Sequence, residues 1–80
     1  MELKTMELTA ERIAQHYSAA MDSVNFINEL VAGQHDDRMT AEEKADAIQR
    51  NVAHLEIMVA KDYWTNENLQ PFHDAIAAGS

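Results

Sequence analysis

The sequence predicts an all-α fold in which an antiparallel helical hairpin carries a short third helix, and three observations lead to it. Apolar residues recur at alternating spacings of three and four over two long stretches, about 9–33 and about 40–64. Only two glycines and one proline occur among the 80 residues, which favours helix. The short polar connection between the stretches favours antiparallel neighbours. We expect a single domain, 1–80, that packs as a dimeric bundle, because a chain of this size without cysteine has little else to stabilise it.

The first helix is predicted to begin at Thr9, whose side chain suits an N-cap, and to end before Gly33, which suits the position after a helix. Its apolar stripe is Ala10, Ile13, Tyr17, Ala20, Val24, Ile27 and Val31. Residues 1–8 are interpreted as a flexible arm, and a longer helix that begins near Glu2 is the alternative.

The second helix is predicted to begin at Thr40 and to end near Trp64. Thr40 and Glu43 have the spacing of a capping box. One stripe is assigned to the hairpin seam: Ala41, Ala45, Ile48, Val52, Leu55 and Val59. A second stripe lies roughly a third of a turn away: Ala53, Ile57, Ala60 and Trp64. Two stripes indicate that this helix packs against two neighbours.

The third helix is predicted at about 68–77. Pro71 is tolerated only in a first turn, which favours Asn68 as the N-cap. A helix of about ten residues is not stable alone. We therefore expect it to fold back onto the stripe that contains Ile57 and Trp64.

The charge balance limits the partners. Six basic and fourteen acidic residues give a formal net charge of −8, and such a surface repels phosphate backbones and anionic lipids. The sequence predicts neither direct nucleic-acid binding nor membrane binding. No apolar run approaches the roughly 20 residues of a membrane span, and the first residues do not resemble a signal peptide. We expect a cytoplasmic protein.

No pattern of a catalytic or metal site occurs. The histidines have no i, i+4 partner, and His35-Asp36-Asp37 lacks the pattern of a calcium-binding loop. His16 and His54 are interpreted as residues at the boundary of the apolar faces. We predict no enzyme activity, no metal and no cofactor.

The C-terminal third carries a resemblance. The segments HLEIM (His54 to Met58) and AKDYWT (Ala60 to Thr65), and the ending from Glu67 to Ile76 with ENLQPF and DAI, resemble small uncharacterised helical proteins of tailed phages and prophages. The resemblance implies a phage origin and action inside a host cell. Small acidic phage proteins often bind a host or defence protein, as inhibitors of CRISPR complexes do.

The first functional hypothesis is therefore an interaction module that modulates a host or defence protein with a basic surface. Its candidate partner-binding residues are Glu11, Asp22, Glu29, Asp36 and Asp37. One version of this hypothesis is nucleic-acid mimicry by the carboxylates. The candidate self-interface of a homodimer is Phe26, Leu30, Ile57, Met58 and Trp64. A second interpretation makes Trp64 an anchor for the third helix.

Two alternative functions remain. One is an oligomeric scaffold in the assembly of a particle. The other is a sponge for a small ligand, with Arg38, Arg50 and Lys61 brought together in an oligomer.

Overall fold

Helix α1 runs over Ala10–Val31 in the computed structural model, which describes residues 9–80. The Thr9 side chain caps it by accepting a hydrogen bond from the backbone N–H of Arg12 at 3.1 Å, as predicted. The helix ends in a Schellman motif, in which Gly33 N–H donates to the carbonyl of Leu30 and Gln34 N–H donates to that of Glu29. Gly33 has a φ of +83°, which confirms the predicted role of this glycine. The predicted arm, 1–8, lies outside the described residues.

Helix α2 runs over Ala41–Val59. The predicted capping box is present: Glu43 N–H donates to Thr40 Oγ1 at 3.0 Å, and Thr40 N–H donates to Glu43 Oε1 at 2.9 Å. The predicted end near Trp64 is wrong by about one turn. The physical reason is the side chain of Trp64, which donates through Nε1 to the carbonyl of Met58 at 2.7 Å. A continued helix would keep Trp64 on the Ile57 side, which faces solvent.

Helix α3 runs over Gln70–Ala78 and has Pro71 in its first turn, where proline is tolerated. It begins two residues later than predicted, and its N-cap position is Leu69, which makes no side-chain capping bond. Asn68 still contributes, since its Oδ1 accepts from the backbone N–H of Gln70 at 3.0 Å. The phenolic O–H of Tyr17 also donates to the carbonyl of Asn68 at 2.7 Å. The start of α3 is thereby tied to α1.

The described chain contains helices and no strand, and the three helices pack against one another. This confirms the predicted all-α fold. His16 in α1 lies against Tyr63, which follows α2, with ring centroids 5.7 Å apart. The end of α2 therefore returns to the first half of α1, as an antiparallel hairpin requires. The core draws on all three helices: Ala20, Val24, Ile27, Leu55, Met58, Phe72 and Ala75.

The stripe assignment on α2 needs a correction. Gly79, at the end of α3, lies against Ile48 and Val52, whose Cγ2 atoms would be 2.9 and 2.7 Å from a Cβ placed on this glycine. Two residues of the stripe assigned to the hairpin seam, Ile48 and Val52, therefore face α3. Ile57 is 59% exposed, so the prediction that α3 packs on the Ile57 stripe is wrong. Ala53 and Ala60 of the second stripe are exposed as well, whereas Ala47 and Met58, which belong to neither predicted stripe, are buried.

At the loop end of the hairpin, the predicted apolar stripe of α1 also differs from the buried residues. Val31 is 46% exposed, whereas Leu30 is 1% exposed. Ala41 and Ala45 are exposed too. Because α3 has nine residues, about 14 Å at 1.5 Å per residue, it covers only part of the α3-facing stripe of the hairpin.

Candidate functional site

A group of aromatic rings gathers where α2 ends. Trp64 meets Tyr17 and Phe72 edge-on, with centroids 6.0 Å apart in both pairs, and its own neighbour Tyr63 at 4.8 Å. Phe72 is fully buried, whereas Trp64 is half-buried. These contacts attach the segment between α2 and α3 to the hairpin. The structure places Trp64 in the role of an anchor for α3.

Tyr63 lies at the edge of this aromatic group. It is half-buried and packs against His16 as well as Trp64. Its partial burial raises the pKa of the Tyr63 phenol above the ordinary 10.0, because the charged phenolate is less well solvated there. The phenol therefore stays protonated at neutral pH.

The five candidate partner-binding acids do not form one site. Glu29 contacts His35 through Oε1 and Nε2 at 2.9 Å, and Asp36 pairs with Lys44 at 3.0 Å. Both carboxylates therefore already contact a side chain of the same chain, and these contacts stabilise the turn of the hairpin. Asp37 is highly exposed and lies 3.9 Å from Arg38, at the limit of an ion pair.

Glu11 and Asp22 differ from the other three acids. Both are exposed on α1, and neither forms an ion pair with another residue of the described chain. They share one face of the helix, about 16 Å apart along its axis at 1.5 Å per residue. This outer face of α1 is polar along its length and exposed: Glu11, Gln15, Ser18, Asp22 and Asn25. We call it the α1 acidic face.

The residues of the candidate self-interface also differ from one another in exposure. Leu30 and Met58 are buried within the single chain, at 1% and 7% exposure, and offer no surface to a second copy. Their assignment to a self-interface is therefore wrong for this fold. Phe26 is half-buried beside the ring of His35, with centroids 5.5 Å apart. Ile57, at 59% exposure, is the candidate whose side chain is most accessible.

The described chain holds no group of three or more histidine, cysteine, aspartate or glutamate side chains that could bind a metal. His16 is half-buried, in agreement with a boundary position, but His54 is exposed, so the interpretation of His54 as a boundary residue is wrong. His54 lies one turn before Ile57, on the exposed side of α2. Of the cations assigned to a ligand sponge, Arg50 is engaged with Asp46 at 3.1 Å.

Comparison with protein-family models, with curated proteins and with solved structures finds no match to this chain. Within residues 9–80, no helix combines the length and the apolar character that crossing a membrane requires.

Sequence reasoning missed two features of the surface. The first is that His35 and Lys44 engage two of the candidate acids, which depends on the path of the turn. The second is the tight contact of Gly79 with Ile48 and Val52. A glycine directly after an apolar helix is a signal that could have pointed to the second feature, because it permits close approach.

Proposed function

We propose that this protein is a small, phage-encoded interaction module that binds a host or defence protein and modulates its activity. The observation that carries the proposal is the α1 acidic face, where Glu11 and Asp22 are exposed and form no ion pair within the described chain. The resemblance of the C-terminal third to phage proteins supports the origin. The net charge of −8 supports a partner with a basic surface.

The face is suited to recognition because its scaffold is rigid. Opposite Glu11 and Asp22, α1 contributes Ala20, Val24 and Ile27 to the core. The helix is therefore fixed in rotation, and the backbone positions that carry its carboxylates keep a constant spacing. Fixed carboxylates on a helix increase the rate of association with a basic surface and select its orientation more than they raise affinity. Association of this kind slows as salt screens the charges.

The test is charge reversal on this face. We expect the double variant Glu11→Lys, Asp22→Lys to lose most of its binding to the partner, captured from a bacterial host extract on immobilised protein and identified by mass spectrometry. The matched control is Glu56→Lys, Asp74→Lys, which reverses two exposed acids on α2 and α3 and changes the net charge equally. Its binding should stay within about twofold of the wild type.

The circular dichroism melts of both double variants should match that of the wild type, because all four side chains are exposed. Equal loss of binding in both variants would show that total charge matters and not the α1 acidic face. Unchanged binding in the first variant would overturn the proposal.

A further inference from the structure

His35, in the turn between α1 and α2, has both ring nitrogens in contact with charged side chains. Its Nε2 lies 2.9 Å from Oε1 of Glu29 on α1, and its Nδ1 lies 3.3 Å from Nη2 of Arg38 in the turn. The ring packs beside Phe26, with centroids 5.5 Å apart, and the His35 side chain is only 24% exposed. We call Glu29, His35 and Arg38 the His35 network.

The two neighbours of the ring select one protonation state of His35. A guanidinium carries N–H donors and no acceptor, and an ionised carboxylate only accepts. The contact with Arg38 therefore requires an Nδ1 without a proton, and the contact with Glu29 requires a proton on Nε2. The neutral Nε2–H tautomer satisfies both contacts. The imidazolium and the Nδ1–H tautomer each lose the contact with Arg38.

We propose that the His35 network is a pH-sensitive switch, in which protonation of His35 ends its contact with Arg38 and transfers the guanidinium to Asp37. A proton on Nδ1 sets two donors and two positive charges 3.3 Å apart, and like charges at this distance repel each other. Glu29 keeps its contact, because Nε2 donates in both states. Histidine is the side chain whose charge ordinarily changes between about pH 5 and about pH 8.

The turn supplies the second partner of Arg38. Oδ1 of Asp37 lies 3.9 Å from Nε of Arg38, at the limit of an ion pair, and both side chains are exposed. The backbone N–H of Arg38 donates to the carbonyl of His35 at 3.0 Å, so the Arg38 side chain starts close to both partners. Rotation of side-chain torsions is then sufficient for the transfer, and the backbone of the turn stays in place.

The groups that face the His35 ring are thus Glu29 from α1 and Arg38 from the turn. Within residues 9–80, α2 contributes no hydrogen-bond or ion-pair partner to this ring, and its nearby cation, Lys44, pairs with Asp36 at 3.0 Å.

The switch changes the charge that the turn presents to a basic surface. With His35 neutral, the Asp37 carboxylate is at the limit of an ion pair. With His35 protonated, Arg38 engages it. The switch lies outside the α1 acidic face and does not depend on the function proposed above.

The first experiment determines the tautomer of His35. Long-range ¹H–¹⁵N NMR spectra of the wild type at about pH 8, where histidine is ordinarily neutral, distinguish protonated from unprotonated ring nitrogens. We expect His35 to show the Nε2–H form alone. His54 and His73 are exposed and serve as references in the same spectrum, where each should show a mixture of tautomers. A mixture at His35 like that of the references, or an Nδ1–H form, would overturn the proposal.

The second experiment follows Arg38 on acidification from about pH 8 to about pH 5. NOEs between its side chain and the His35 ring should be lost as the ring signals report protonation, and its Nε and Cζ shifts should change in step. His35→Gln is the control, because an amide does not titrate: Arg38 should then show no change. In Asp37→Asn the NOEs should still be lost, but the change in the Nε shift should shrink, because no carboxylate receives the guanidinium.

The outcomes separate cleanly. NOEs between Arg38 and His35 that persist when the ring is protonated would overturn the switch, and so would an unchanged Arg38 response in His35→Gln. A full Nε response in Asp37→Asn would exclude Asp37 as the second partner. Circular dichroism should be the same at both ends of the pH range, because the transfer moves side chains only. The wild-type spectra carry the test even where a variant is less stable.

Discussion

The two ends of the hairpin are stabilised in different ways. At the loop end, the chain between α1 and α2 is closed by contacts between residues close in sequence: the Schellman motif at Gly33, the capping box at Thr40, and the Asp36–Lys44 pair, which spans eight positions. At the open end, where α3 attaches, the hydrogen bond from Tyr17 to Asn68 spans 51 positions. The rest of that attachment is apolar and aromatic packing and the hydrogen bond from Trp64 Nε1–H to the carbonyl of Met58.

This difference indicates at which end of the hairpin substitutions cost more stability. Local contacts close small loops and cost little chain entropy, so the loop end can form whether or not the rest of the chain is packed. The open end brings distant segments together, and α3 has nine residues and no side-chain cap at Leu69, too few to be stable alone. We therefore expect changes at the open end to cost more stability than changes at the loop end.

The largest effect on stability is expected in the core to which all three helices contribute. Leu55 is fully buried in the cluster to which all three helices contribute. Leu55→Asp places a carboxylate there without a partner, and its desolvation exceeds what a domain of this size can offset. We expect no cooperative thermal transition by circular dichroism.

Ile57→Asp is the control for this variant. It introduces the same carboxylate two residues further along the same helix, but at a position that is 59% exposed. Its free energy of unfolding should lie within about 0.5 kcal/mol of the wild type. A native-like melt for Leu55→Asp would contradict the core described here.

The next effect concerns the open end alone. Trp64→Ala removes the ring contacts with Tyr17 and Phe72 and the hydrogen bond to the Met58 carbonyl. We expect a loss of about 3 kcal/mol, at the lower end of the range for large aromatic residues because Trp64 is only half-buried. Denaturant unfolding followed by circular dichroism measures it, since Trp64 is the single tryptophan. Amides of α3 should lose more protection from hydrogen exchange than those near the loop. A loss below about 1 kcal/mol would assign Trp64 to an exposed interaction surface.

The third effect tests the far end of α3. Gly79→Ala would place its Cβ 2.7 Å from Cγ2 of Val52 and 2.9 Å from that of Ile48. Both neighbours are β-branched and have restricted rotamers, so we expect a loss of about 1–3 kcal/mol. The sign is informative, because the same change without a clash stabilises by about 0.4–1 kcal/mol through the unfolded chain. In the Val52→Ala background the loss should shrink, and a double-mutant cycle measures this coupling. Additive effects would show that Gly79 does not pack on Val52.

The same division between local and distant contacts explains what the sequence could predict. The caps at Thr9 and Thr40 and the glycine at 33 were predicted correctly, because each depends on residues within a few positions. The end of α2 was not, because the helical pattern of the chain continues through Trp64. The competing contacts of Trp64 come from Tyr17 and Phe72, which are distant in sequence.

The candidate site follows this rule as well. Glu11 and Asp22, two of the candidate residues, lie outside the predicted apolar stripe of α1 and are exposed, because exposure on a regular helix depends mainly on rotation. Periodicity could not show that Glu29 and Asp36 would meet His35 and Lys44, since these contacts depend on the path of the turn. It also could not show that Ala53, Ile57 and Ala60 of α2 would be exposed.

The smallest effect is expected at the loop end. Thr40→Ala removes the hydroxyl that accepts from Glu43 N–H at 3.0 Å, and with it the reciprocal arrangement in which Glu43 accepts from Thr40 N–H. We expect a loss of about 1 kcal/mol, typical of a capping residue, measured by denaturant unfolding. Because the turn keeps its Schellman motif and the Asp36–Lys44 pair, the protection of α3 from hydrogen exchange should fall no more than that of α1. The matched variant Thr9→Ala removes a single capping bond to Arg12 N–H and should cost no more. A loss at Thr40 as large as that of Trp64→Ala would mean that the loop end, and not the attachment of α3, limits the stability of this fold.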